Sequence, residues 1–149
     1  MSHSSPLLSF VSGDGIDNAG RTFADVLAFD DAALERHHDF VQWLFPLDEA
    51  SRAVPGSPVL DAPTIAGVRA SSVAQDRLAR ASERMLQFYR DTSAWRRPFD
   101  HNHLRITRII KSLRMLAGDE AADAFKRAIV ALAADAPIDA TARRFWDAA

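Results

Sequence analysis

Apolar residues recur every three or four positions through most of this chain, which is the spacing of amphipathic α-helices. The longest such stretch covers about residues 73–91, and two more cover residues 102–118 and 119–134. In the second stretch the inner positions are Ile106, Ile109, Ile110, Leu113 and Leu116. No stretch alternates apolar and polar residues in the manner of a half-buried strand. The pattern therefore predicts an all-α protein.

Four polar residues stand where helices are expected to begin. Thr22, Asp30, Asn102 and Asp139 each have a side chain that accepts from the free N–H groups of a first helical turn. Asp30 is expected to cap one continuous helix over residues 31–45, which a following proline ends. The short last helix that Asp139 begins contains an adjacent pair of aromatic residues.

These elements amount to about six helices, and the sequence predicts that they form one compact domain over residues 1–149. We expect an irregular or orthogonal bundle whose first short helix covers residues 6–11. Residues 1–5 and the Gly/Asp/Asn-rich segment 12–20 are expected to be flexible. Residues 46–63 contain four prolines and predict an irregular connection that wraps the surface or carries function.

Composition excludes several classes of site. The chain has no cysteine, which rules out disulfides, thiolate zinc sites and a cysteine nucleophile. Its apolar runs are far shorter than a membrane-spanning helix needs, and the chain does not open on the pattern of a secretory leader. We therefore expect a cytoplasmic protein without a transmembrane segment.

Charge is distributed unevenly along the chain. Residues 1–50 have nine acidic and two basic side chains, whereas residues 51–149 have eleven acidic and sixteen basic ones. The interpretation we favour is that an acidic half packs on a basic half. The alternative is a basic face that binds an anionic partner.

Three ordered stretches resemble one known family. They are residues 37–46 (HHDFVQWLFP), 84–89 (RMLQFY) and 101–109 (HNHLRITRI). Together they are similar to the signature stretches of the opioid growth factor receptor conserved region. The resemblance extends over about residues 10–146, and the short chain looks like a bacterial member without the C-terminal repeats of the animal proteins.

The resemblance implies an all-helical domain. In the animal members it also implies an association with a short enkephalin peptide. It transfers no catalytic or ligand-contacting position to this chain. We therefore expect a non-catalytic binding or regulatory module, with a peptide or protein segment as its partner and without a cofactor.

Helical geometry groups the candidate ligand-binding residues of the first stretch. On a continuous helix Asp39 and Trp43 share one face, and His38 and Gln42 share the next. A carboxylate and an imidazole beside an aromatic ring can hold a peptide terminus or an amine. The alternative is that Trp43 belongs to the core.

The second stretch contributes His101, Asn102, His103, Arg105 and Arg108, and we expect a groove beside residues 38–46 and 101–108. Arginines near a helix start oppose the helix dipole, so an anion is expected there. That anion is either an internal partner, with an Arg105–Asp39 pair favoured, or a bound ligand.

Two further functions remain open as alternatives. One is an enzyme or small-molecule binder with an anion or metal site around His38, Asp39, His101, His103 and Arg105. An His-x-His pair in an extended loop suits zinc, although the residue pattern favours no resident metal. The other is nucleic-acid binding along the helix that carries Arg105, Arg108, Lys111 and Arg114. The lack of interleaved exposed aromatics argues against it.

Overall fold

The computed structural model describes residues 5–149, and within that range the regular structure is entirely helical apart from one isolated bridge between Ile16 and Thr22. This confirms the all-α prediction, with nine helices rather than about six. They are α1 (Pro6–Ser12), α2 (Phe23–Leu27), α3 (Asp31–Arg36), α4 (Val41–Leu44), α5 (Ala62–Ala70), α6 (Ser72–Asp91), α7 (His101–Leu116), α8 (Asp119–Leu132) and α9 (Ala140–Ala148).

The chain divides into two compact units, residues 1–81 and 82–149, and the division falls within α6. Residues 1–4, part of the segment expected to be flexible, lie outside the described range. In none of the described helices do length and apolar character suffice for crossing a bilayer.

Side-chain caps begin most of the short helices of the first unit. Thr22 and Asp25 form a reciprocal capping box, and Asp30 accepts from the backbone N–H of Ala33 at 2.8 Å. Both caps were predicted. Each supplies an acceptor to an N–H group that has no partner within the helix, which fixes where the helix begins.

The predicted continuous helix over residues 31–45 is wrong. α3 ends at Arg36, and His37 is extended with φ −82° and ψ 134° before α4 begins at Val41. Tertiary contacts favour the break because the rings of His37 and Phe40 both pack on Phe29, at 5.1 and 5.8 Å. These contacts override the helical preference of the local sequence.

The proline-rich connection is shorter than predicted because α5 occupies its last residues and the following ones. Asp61 caps α5 by accepting from Thr64 N at 2.8 Å. Pro63 lies in the first turn of the helix, where the lack of an N–H group costs nothing. Proline breaks a helix when it lies in the middle, but Pro63 lies in the first turn of α5 and is compatible with the helix.

The core of the first unit forms around the ring of Phe10, which is fully buried. Phe23 and Trp43 contact it with centroid distances of 5.6 and 5.4 Å. Arg77 of α6 donates to the carbonyls at the end of α1, with the shortest distance 2.7 Å to Gly13 O. A cation at a helix C-terminus satisfies free carbonyls and the dipole together.

In the second unit α7 packs against both α8 and α9. Gly118 joins α7 to α8 with φ +109°, a conformation that suits glycine. Arg143 of α9 donates to Ala133 O and Ala136 O after the end of α8, at 2.9 and 2.8 Å. Asp139 caps α9 as predicted, and its backbone N–H donates to Pro98 O at 3.1 Å, which brings the start of α9 beside the segment before α7.

Candidate functional site

A surface groove of about 710 Å³ lies in the second unit, between the first turns of α7 and α9. The segment before α7 contributes to its lining. Its lining is Arg97, Pro98, Phe99, Asp100, His101, His103, Leu104, Thr107, Asp139, Thr141, Ala142 and Phe145. A cavity of this size is within the range of small-molecule and peptide sites.

Three large apolar side chains at the groove are exposed to solvent. Phe99 is 75% exposed, Leu104 73% and Phe145 53%. Leu104 is out of phase with the buried isoleucines of α7, and Phe145 is turned about 100° from its buried neighbour Trp146. Three exposed apolar side chains that line one groove make it a candidate interaction site.

The start of α7 is held by Asp100 rather than by the predicted Asn102. The Asp100 side chain accepts from the backbone N–H of Asn102 at 3.0 Å and from its side-chain amide at 3.1 Å. Arg97 forms an ion pair with the other carboxylate oxygen at 3.1 Å. Asp100 is therefore the internal anion that the arginine-rich helix requires at its start.

The environment of Asp100 keeps it ionised. Burial of its carboxyl raises the pKa, but hydrogen bonds from Asn102 lower it, and the charges of His101 and Arg97 act in the same direction. The net result is a pKa below the ordinary value. The groove thus contains a carboxylate whose oxygens are already occupied.

The two histidines of the His-x-His pair have different surroundings. His103 is buried, and its Nε2 lies 2.7 Å from Trp95 O, so the proton sits on Nε2 and is donated to that carbonyl. His101 is exposed beside Asp100. Both residues lie in the first turn of α7, where positions i and i+2 point about 200° apart. The extended loop that the metal alternative requires, with both nitrogens on one ion, therefore does not form here.

Asn102 and Arg105 belong to a buried network under the groove. Asn102 Oδ1 accepts from Tyr89 Oη at 3.2 Å and from Arg105 Nη1 at 3.4 Å. Trp95 Nε1 donates to Tyr89 O at 3.0 Å, and Trp146 Nε1 donates to the carbonyl of His103 at 3.1 Å. Of the candidate ligand-binding residues in the second unit, these contacts give Asn102, His103 and Arg105 positioning roles.

The candidates of the first unit are arranged differently from the prediction. Because residues 37–40 are not helical, the expected shared faces of Asp39 with Trp43 and of His38 with Gln42 do not form. Trp43 and Gln42 are buried, whereas His38 and Asp39 are exposed. The partner of Asp39 is Arg21 at 3.0 Å rather than the predicted Arg105.

Arg21 also pairs with Asp17 at 2.7 Å, so one guanidinium joins two carboxylates. Asp17 Oδ1 further accepts from the backbone N–H groups of Ala19 and Arg21, both at 2.9 Å. These contacts lie in and beside the segment expected to be flexible. Its flexibility stays a prediction.

The basic row of α7 is not a continuous exposed stripe. Arg105 is 7% exposed, Arg108 is half-buried, and Arg114 pairs with Asp119 and Asp123 at 2.8 Å each. Lys111 is the member of the row that is exposed. This geometry does not favour phosphate binding along the helix, which needs several free cations.

Sequence reasoning missed most of the groove lining. Arg97, Phe99 and Asp100 precede α7, and Thr141, Ala142 and Phe145 lie on α9. One signal was available: Leu104 is apolar but lies opposite the inner face of its own helix. Adjacent aromatic residues on a short helix give a similar signal, because both cannot face the same core.

The fold and the groove define an all-α protein with an exposed apolar groove on its second unit. Comparison with known families then gives a match over residues 17–92 to the family described as "Opioid growth factor receptor (OGFr) conserved region". The chain belongs to this family. The resemblance predicted over residues 10–146 is confirmed for the matched part, which includes the stretches 37–46 and 84–89.

Three characterised relatives are opioid growth factor receptors. The mouse and rat proteins are each 38% identical to this chain over 98 residues, and the human protein is 38% identical over 101 residues. The matches cover 54% of this chain but only 15%, 17% and 14% of the relatives. The chain thus corresponds to less than a fifth of each relative. No solved structure matches it.

Proposed function

We propose that this chain is a non-catalytic binding module whose groove between α7 and α9 takes up a short segment of a partner protein. The observation that supports this most is the exposure of Phe99, Leu104 and Phe145 around one groove of about 710 Å³. Removing exposed apolar side chains from water is favourable, so a partner that covers them gains binding free energy.

The arrangement suits a helical segment better than a compact metabolite. The groove is bordered by two helices and its lining includes three exposed apolar residues, which suits helix-in-groove recognition. The buried network beneath it fixes the start of α7, so the groove is largely formed before binding. A preformed groove reduces the entropy that binding has to overcome.

The relatives support a receptor-like role in general terms only. Those longer proteins are named as receptors for an opioid growth factor. The groove lining begins at Arg97, after the last residue of the family match. The proposal for the groove therefore depends on its geometry, and the cytoplasmic location likewise stays a prediction.

Fluorescence anisotropy with a labelled amphipathic peptide tests this function. The peptide has about five helical turns, with leucines on one face and glutamines on the other. Phe145→Ala is expected to weaken its binding about tenfold or more, because a buried phenylalanine contributes about 1.5–3 kcal/mol. Val130→Ala is the matched control, since Val130 is 42% exposed on α8, away from the groove lining. Equal effects of the two variants would contradict the proposal.

A further inference from the structure

We propose that the groove selects an acidic amphipathic segment, one that presents carboxylates beside its apolar face. This inference rests on the proposed function and adds the charge of the partner. The charge of the partner follows from two observations: the carboxylates at the groove are hydrogen-bonded within the protein, and the exposed charged groups are basic.

The two carboxylates in the lining are used internally. The Asp100 side chain is 0% exposed, and both of its oxygens accept hydrogen bonds, from Asn102 and from Arg97. Asp139 is half-buried and accepts from the backbone N–H of Thr141 at 3.0 Å, which caps α9. Neither group is positioned to attract a basic ligand.

The exposed charged groups are basic. The Arg97 side chain is 61% exposed and donates to Asp100 through Nε and Nη2, which leaves Nη1 for a ligand. Arg144 is exposed next to Phe145 and donates to Thr141 Oγ1 at 3.3 Å.

Arg97 lines the groove and Arg144 donates to the lining residue Thr141, so a bound segment meets apolar side chains and guanidinium groups on one surface. Guanidinium groups bind carboxylates through paired N–H donors. The second unit has twelve basic and nine acidic residues, a net charge of +3, which favours the approach of an acidic partner. Charge complementarity thus points to an acidic segment.

Three versions of the labelled peptide test the inference on the full chain. They share the leucine face and carry glutamate, glutamine or lysine on the flanks of that face. We expect the glutamate peptide to bind about fivefold more tightly than the glutamine peptide and the lysine peptide to bind most weakly. Raising the salt concentration should reduce the difference, because exposed charges are screened.

The variant Arg144→Gln should reduce the logarithm of the affinity ratio between the glutamate and glutamine peptides to about half its value. The affinity for the glutamine peptide itself should not change. Arg127→Gln removes the same charge from an exposed position on α8 and should leave the preference unchanged.

Equal affinity for the three peptides would overturn the charge inference and leave the groove function intact. Binding of none of them would overturn both. A dimer in sedimentation that Phe145→Asp dissociates would assign the groove to a second copy of the chain and would likewise overturn the inference.

Discussion

At the scale of single residues, Asp100 has three stabilising roles at the start of α7. It caps α7, pairs with Arg97, and supplies negative charge at the N-terminus of a helix that carries several arginines. These contacts all favour the ionised form, so folding lowers the pKa of Asp100. The residue therefore links the stability of the groove to pH.

The Asp100→Asn variant tests that link. Asparagine still caps a helix but does not titrate, so the variant should be less stable than the parent at neutral pH by about 1–2 kcal/mol. A lowered folded-state pKa gives stability that is present above the unfolded value near 4 and is lost as pH falls through the folded value. The stability difference should therefore shrink below about pH 4.

Urea unfolding at a series of pH values measures this difference. Arg97→Gln provides a control because it removes one charge near Asp100 and keeps the cap. A stability difference that stayed constant from pH 7 to pH 3 would contradict the assigned ionisation of Asp100.

At the level of elements, α7 and α8 depend on the backbone of Gly118. Its φ of +109° with ψ of 176° lies in a region that is essentially restricted to glycine. A Cβ atom there would meet no neighbour within 4 Å, so any cost of substitution comes from the backbone alone.

We expect Gly118→Ala to destabilise the fold by about 1–3 kcal/mol. The variant Gly118→Asn should behave alike, since this conformation is not the left-handed helical one that asparagine tolerates. Thermal and urea unfolding measure both. An alanine variant as stable as the parent would show that the α7–α8 connection relaxes without cost.

The sequence predicted elements well where local chemistry decides them. Thr22, Asp30 and Asp139 were recognised as caps because a side-chain oxygen and its backbone N–H partner are separated by only two or three residues. The break at His37 was missed because it depends on ring contacts with Phe29, whose position only the tertiary structure defines. α5 was missed because Pro63 was interpreted as part of an irregular segment.

The groove was the least predictable feature. Its lining comes from the segment before α7, from α7 itself and from α9, and no single periodic pattern contains all three. His101 and His103 were both named as candidates, yet their side chains point about 200° apart on the helix, roughly half a turn. Leu104 and Phe145 carried usable information, because apolar residues that lie off the inner face predict exposure.

At the level of the whole molecule, the family match and the groove fall on different parts of the chain. Residues 17–92 match the family, whereas the groove lining begins at Arg97. The first unit has eleven acidic and six basic residues, a net charge of −5, in contrast to +3 for the second. The opposite charges support our proposal that the second unit binds the partner.

A smaller cavity in the first unit offers a direct comparison. It measures about 320 Å³ and is lined by Phe23, Ala24, Leu27, Asp76, Arg77 and Arg80. Arg77 is committed to the end of α1 and Arg80 pairs with Asp76 at 2.9 Å. Its charged groups are therefore already paired, which makes it a poorer site for a charged segment.

The most direct test of the central claim is an amide NMR titration of the full chain with the glutamate-bearing amphipathic peptide. We expect the shifted amide signals to belong to residues 97–107 and 139–145, which include the groove lining. Shifts confined to residues 23–27 and 76–80, or a spectrum that the peptide leaves unchanged, would contradict it.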